Sequence, residues 1–316
     1  MGDVAVRRFL SAISTRPINP ANGSGRLELA QKITAPNSPL VPRVAVNRVW
    51  HHLFGRGIVE SVDNFGVLGK PPTHPELLDY LAKSFVEDGW SIKRLIRRVV
   101  LTSSYQMSSQ DNPAAAKLDP NNQWLHRGNV KRLSGEAIRD SMLKISGQLN
   151  SQMFGPPVPM YLTSFLEGRG RPGQDGPLDG GGRRSVYQEV RRNFLSPLML
   201  AYDTPIPFSA IGKRNQSNVP GQAFSLMNDP FVIQQAEQWA KRLVQENQSI
   251  EARIDDVYLT ATGRPPEDWE REQSRQFLAA QAAELKIDST LILASEPLWK
   301  DFCHVMFYLK EFIFVR

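Results

Sequence analysis

From Arg43 to Phe54, in the run RVAVNRVWHHLF, the apolar residues Val46, Val49, Trp50, Leu53 and Phe54 recur every three or four positions, with Ala45 at the edge of the same face. That period fits an α-helix with one buried side and no strand, because side chains in a strand change face at every residue. The other positions sort into two polar stripes, Arg43/Asn47/His51 and Arg48/His52. Adjacent helix positions diverge by about 100°, so His51 and His52 point apart and cannot ligate one metal together on a regular helix.

The same period returns along the chain, interrupted each time by glycine or proline. Gly55, Gly57, Gly66 and Gly69, then Lys70-Pro71-Pro72, form an irregular loop. Thr73-His74-Pro75-Glu76 reads as a capping box opening a second helix with Leu77, Leu78, Leu81, Ala82 and Phe85 inward, which puts His74 and Glu76 at its positive end. Ser91 opens an amphipathic helix with Ile92, Leu95, Ile96, Val99 and Val100 inward and Lys93, Arg94, Arg97 and Arg98 opposite. Those four cations can meet phosphate, sulfate or an acidic partner, or stay solvated with local ion pairs. Further along, Ser134 caps a helix that buries Ile138, Met142, Ile145 and Leu149, and Arg132, Glu136, Arg139 and Asp140 can form an internal ion network beside it.

Towards the N-terminus, a turn-rich arm over residues 1–23 precedes a short helix that Ser24 can cap, carrying Leu27, Ala30 and Ile33. The last third is helical again. Asp229-Pro230 reads as cap and first residue of a helix with Val232, Ala236, Trp239 and Leu243 inward, and Ile250 to Ala261 makes another, stopped by Gly263. Trp269, Phe277 and Leu285 mark one more, and Phe302, Val305, Met306 and Leu309 the last.

Residues 155–184 differ in character: five prolines and the run GRGRPGQDGPLDGGGRR predict a mobile, non-helical loop. Val186, Gln188 and Val190 alternate with Tyr187, Glu189 and Arg191, which predicts a short strand over 185–192 with a companion near 158–163. The expected fold class is therefore mainly α, a multi-helix globular domain with a small β insert around residues 155–195. Its expected parts are an N-terminal arm and short helix (1–42), a helical core with the His/Arg-rich motif (43–150), the Gly/Pro-rich loop and β insert (151–219), and a C-terminal helical region (220–316).

Size and charge bound the function only loosely. The chain of 316 residues, 41% of them hydrophobic, can bury a sizeable core, and its formal charge of +6 is spread along its length. Cys303 is the one cysteine, which excludes an internal disulfide and a cysteine-rich zinc site. No CxxCH is present, so no haem is held covalently by this chain. Neither a run of apolar residues long enough to span a membrane nor a signal peptide is present.

Of the short motifs, Gly168-x-Gly170-x-x-Gly173 lacks the strand and helix that phosphate cradling needs, and Ser141-x-x-Lys144 lies mid-helix without companion motifs. What survives as chemistry is His51, His52, His74 and Asp63, within one supersecondary unit, as acid–base or metal candidates. Arg183, Arg184, Tyr187 and Arg191, beside the glycine-rich loop, are the candidates for binding an anion. Histidines on a core helix are also commonly satisfied by backbone carbonyls, and Arg43 and Arg48 read as brackets on loop carbonyls.

Several long runs carry a resemblance. SGRLELA at 24–30, RVAVNRVWHHLFGRGIVESVDNFG at 43–66, PTHPELLDYLA at 72–82, GWSIKRLIRRVVLTSSYQ at 89–106, RLSGEAIRDSMLKISGQL, RRSVYQEVRR and the closing WKDFCHVMFYLKEFIFVR resemble the C-terminal planctomycete-specific domain of unknown function found in large cytochrome-c-associated bacterial proteins. The resemblance implies context rather than chemistry: a signal peptide, a c-type cytochrome segment and a companion domain ahead of this one, and periplasmic or extracellular placement. Because the chain carries none of these, it is expected to be a fragment or truncated reading frame.

The expected function is an extracytoplasmic accessory or binding domain of a cytochrome-c-linked redox assembly, docking through Lys93, Arg94, Arg97 and Arg98. The alternative is an enzyme acting on an anionic polysaccharide through the His/Asp group. Nucleic-acid binding stands third, since no aromatic–basic module accompanies the charge.

Overall fold

Glycine and proline divide the chain much as its punctuation predicts. The computed structural model describes residues 7–11, 13–14, 17–18, 23–163, 166–168, 170–208, 210–246 and 249–315, so much of the expected N-terminal arm lies outside the described residues. The chain forms two compact units, residues 1–129 and 130–316, each with its own core.

The first unit contains α1 (Arg26–Ile33), α2 (Val41–Phe54), α3 (Pro75–Glu87), α4 (Ile92–Val100) and α5 (Pro113–Leu118). The apolar face of α2 closes against Leu78, Leu81 and Phe85 of α3 and against Leu95 and Val99 of α4. Gly55 ends α2 in the left-handed region at φ 80°, its amide donating to His51. The loop that follows is pinned to the helix by Asn47, which is wholly buried and bonded to the backbone of Val59. Gly57 is required there, because a Cβ would lie 2.5 Å from the Val59 oxygen and 2.9 Å from the Asn47 amide.

Three local expectations change in this unit. The N-cap of α3 is His74 with no side-chain cap, because Thr73 binds Ile58 instead, through its amide at 2.9 Å and its hydroxyl at 3.3 Å. Ser24 does not cap α1, which follows Gly25 at φ 78° and buries no residue. On α4 the packed stripe is narrower than the apolar one: Leu95 and Val99 are buried, whereas Ile92 is 57% and Ile96 37% exposed.

The second unit begins with β1 (Lys131–Arg132) and α6 (Gly135–Ser146), continues through α7 (Pro197–Ala201), α8 (Pro220–Asn228), α9 (Pro230–Val244), α10 (Ile250–Thr262) and α11 (Asp268–Glu284), and closes with α12 (Glu296–Met306), α13 (Lys310–Ile313) and β2 (Phe314–Val315). Ile138, Met142 and Leu143 of α6 share one core with Val232, Ala236 and Trp239 of α9 and with Trp299, Phe302 and Cys303 of α12. This is why α6 belongs with the C-terminal helices rather than with α2 to α4. Asp229 caps α9 through the amide of Phe231 and Gly263 ends α10 at φ 78°, as the sequence predicts. Trp269 does not mark the buried side of α11: it is 63% exposed, and Glu270, Ser274, Leu278 and Ala282 face inward. Arg264 draws Glu270 in with two hydrogen bonds of 2.7 and 2.8 Å.

The chain is mainly α with a small β component, but its two-stranded ladder lies elsewhere than expected. It is antiparallel and pairs Lys131 with Val315 and Arg132 with Phe314. Ser185–Tyr187 is a turn of 3-10 helix rather than a strand, and its expected companion contributes one parallel bridge, Val158 with Gln188. The cause is Asp140, which accepts from both the amide and the hydroxyl of Ser185 at 2.7 Å and so holds the chain in a turn. The glycine run Gly180–Gly182 is likewise a packed turn with φ between 62° and 68°, where a Cβ on Gly180 would lie 2.6 Å from Arg139.

Candidate functional site

In the first unit, the sequence candidates sit on α2, in the loop after it and at the start of α3. His51 and His52 are consecutive on α2, their ring centroids 5.5 Å apart and tilted by 58°. His51 is half-buried, while His52 and Asp63 are exposed. His74 sits at the start of α3 with Nδ1 2.9 Å from the Thr73 hydroxyl, on the wall of a cleft it shares with Trp50, Phe54 and Asn122. Among the described residues no three histidine, cysteine or acidic side chains are grouped to hold a metal ion.

On α4, the four candidate cations divide into two kinds. Arg98 is bonded to Asp88 at 2.9 Å and lies 6.0 Å from the Tyr80 ring centroid, so it is a bracket. Lys93, Arg94 and Arg97 are exposed, and among the described residues they form no ion pair. Arg94 reaches only the Asp88 carbonyl, at 3.5 Å. Arg43 is a bracket as expected, holding Asp79 at 2.6 Å and the Pro39 carbonyl; Arg48 is exposed on the outer face of α2.

In the second unit, the arginine cluster is mostly engaged with itself. Arg183 is buried, donates to the Phe154 carbonyl at 2.8 Å and lies 4.4 Å from the Tyr187 ring centroid. Tyr187 in turn accepts the Phe154 amide at 2.9 Å. Arg191 pairs with Glu189 at 2.9 Å, and Arg184 stands 55% exposed, 3.7 Å from Asp140. An anion arriving here would have to displace those partners, of which the Arg184–Asp140 pair is the longest.

Behind this cluster the real hub is Arg139, which composition alone does not single out. It donates to the carbonyls of Arg183 at 2.9 Å and Asp179 at 2.6 Å and to the Ser185 hydroxyl at 3.2 Å, and lies 5.1 Å from the Phe231 ring centroid. Burial pulls its pKa down to about 10, against the raising effect of Asp140 and Asp179. The guanidinium therefore remains charged and ties the glycine turn to α6.

Next to the hub is a half-open cavity of about 130 Å³, walled by Met160, Phe194, Leu198, Met199 and Phe231. Its polar lining includes Glu136, Glu189, Asp229 and Thr204. Glu136 is taken by Arg214 with bonds of 2.8 and 2.9 Å, and Glu189 by Arg191. Asp229 has no cation partner among the described residues; burial raises its pKa, with the Phe231 and Val232 amides opposing. The Thr204 hydroxyl is buried and has no hydrogen-bond partner among the described residues. These walls come from segments far apart in sequence, so no local motif announces them.

Fold and side-chain placement thus define a mainly helical domain of two units, with an open cationic helix face in one and an apolar chamber in the other. The chain belongs to the PSD1 family of proteins of unknown function (DUF1553), whose profile matches residues 25–278. No curated protein and no solved structure matches it.

Proposed function

We propose that this chain is a non-catalytic accessory domain that docks an acidic protein partner on α4, the partner being the c-type cytochrome segment that its sequence resemblance implies. One observation carries the reading: Lys93, Arg94 and Arg97 are exposed and free of ion pairs among the described residues, and they border Ile92, Ile96 and Leu101, which are 57%, 37% and 67% exposed. An apolar strip with a cationic rim is the composition of a transient interface, where charge steers encounter and apolar contact holds the complex. Periplasmic or extracellular placement and the companion domain belong to the same proposal. The enzyme alternative has weaker support, since no three histidine, cysteine or acidic side chains among the described residues are grouped to hold a metal ion, and Arg183 and Arg191 bind their own chain. Among the described residues no helix is long and apolar enough to cross a membrane.

The test is calorimetric titration of this chain with a purified c-type cytochrome segment at low and at physiological ionic strength. Binding that weakens with salt, and that drops about tenfold or more in a Lys93→Glu/Arg97→Glu variant, is the expected result. No binding at low ionic strength removes the proposal, and equal binding of duplex DNA replaces it with the nucleic-acid reading.

A further inference from the structure

The chamber beside Arg139 asks a separate question, because none of its wall residues belongs to α4. We propose that it is a binding site for one small single-ring molecule whose polar end is an amine, and that it rejects anions.

Size sets the first limit. An apolar cavity of about 150 Å³ accepts one benzene-sized molecule, and this one has about 130 Å³. Met160, Phe194, Leu198 and Met199 are each at most 7% exposed, so they offer a ring a desolvated wall. The rim includes Val190, 68% exposed, so a ligand can enter without opening the core.

Charge sets the second limit. The cation on the wall, Arg139, already donates to two carbonyls and a hydroxyl, which leaves an incoming carboxylate or phosphate poorly served. Of the three wall carboxylates, Glu136 and Glu189 are neutralised by arginine, and Asp229 is not. Its oxygens accept backbone amides and retain lone pairs for a further donor. The Thr204 hydroxyl, without a partner among the described residues, lines the same chamber and can accept from the ligand too. Buried polar groups of this kind lose free energy until a partner arrives, and an ammonium or amine can serve both.

The experiment uses the full chain with its methionine methyls labelled for NMR, assigned by single Met→Leu variants, and titrated with benzylamine, toluene and benzoate. Shifts confined to Met160 and Met199 among the eight methionines, with benzylamine binding most tightly, toluene less and benzoate least, are expected. The volume-conserving variant Thr204→Val should weaken benzylamine several-fold and leave toluene unchanged. The proposal is overturned if none of the probes moves those two methyls, if toluene or benzoate binds as tightly as benzylamine, or if Thr204→Val weakens toluene and benzylamine alike.

Discussion

Asn47 and Val59 are joined by a two-way pair of hydrogen bonds: the Asn47 amide nitrogen donates to the Val59 carbonyl at 2.9 Å, and the Val59 amide donates to the Asn47 oxygen at 2.8 Å. A helix side chain here supplies what a neighbouring strand would supply. Asn47→Ala strands both backbone groups, and at about 1–3 kcal/mol for each unmet group the variant should lose roughly 2–6 kcal/mol. Urea unfolding followed by tryptophan fluorescence measures this. A loss under 1 kcal/mol would mean that water replaces the side chain. Gly57→Ala should destabilise as well, since its Cβ would strike the same pair.

Arg139 makes a similar claim on the second unit. Arg139→Met keeps the aliphatic stem but leaves the carbonyls of Asp179 and Arg183 unmet, and a cost of about 3 kcal/mol or more is expected. Limited proteolysis should then cut within residues 176–188 in the variant and not in the wild type. Unchanged protection would show that the glycine turn stands without its bracket.

Glu270 gives the acid limb of stability. The Arg264 hydrogen bond, opposed by burial, lowers its pKa. A carboxyl whose folded pKa lies below its unfolded value stabilises the fold above that unfolded value, about 4.3, and this contribution is lost as pH falls through the folded pKa. The melting temperature of Glu270→Gln should therefore lie below that of the wild type at neutral pH and approach it in acid. Parallel curves across that range would refute the linkage.

Asp229 works in the opposite sense. Burial raises its pKa, so its contribution is fully present below the unfolded value, about 3.9, and is lost as pH rises through the folded one. At neutral pH its charge is a burden on the fold. Asp229→Asn keeps an acceptor for the Phe231 amide without that charge and should be at least as stable at neutral pH. Asp229→Ala removes the cap and should cost about 1 kcal/mol. Equal melting temperatures for the two variants would remove the capping role.

The helices were legible because their signals are local. Apolar spacing and the Gly55 and Gly263 stops placed α2 and α10, and Asp229-Pro230 placed the start of α9. What failed depended on a distant partner. The alternation at 185–192 predicts a strand because nothing nearby reveals that Asp140 claims both polar groups of Ser185. On α11 the apolar residues do not reveal the inward side, since Glu270 is drawn in by Arg264 while Trp269 is exposed. Ile92 and Ile96 belong to the inward face by spacing yet stay exposed, because a helical wheel shows which side is apolar and not how much of it a neighbour covers. The chamber was invisible for the same reason, its wall being assembled from separate stretches.

Cys303, the one cysteine, is fully buried on α12, and burial pushes its thiol well above the ordinary range. While that core is closed, a thiol reagent has neither access nor a thiolate to attack. The chain thus carries a built-in clock: the rate at which Cys303 takes up a thiol label reports how often the α6–α9–α12 core opens, with no cysteine introduced.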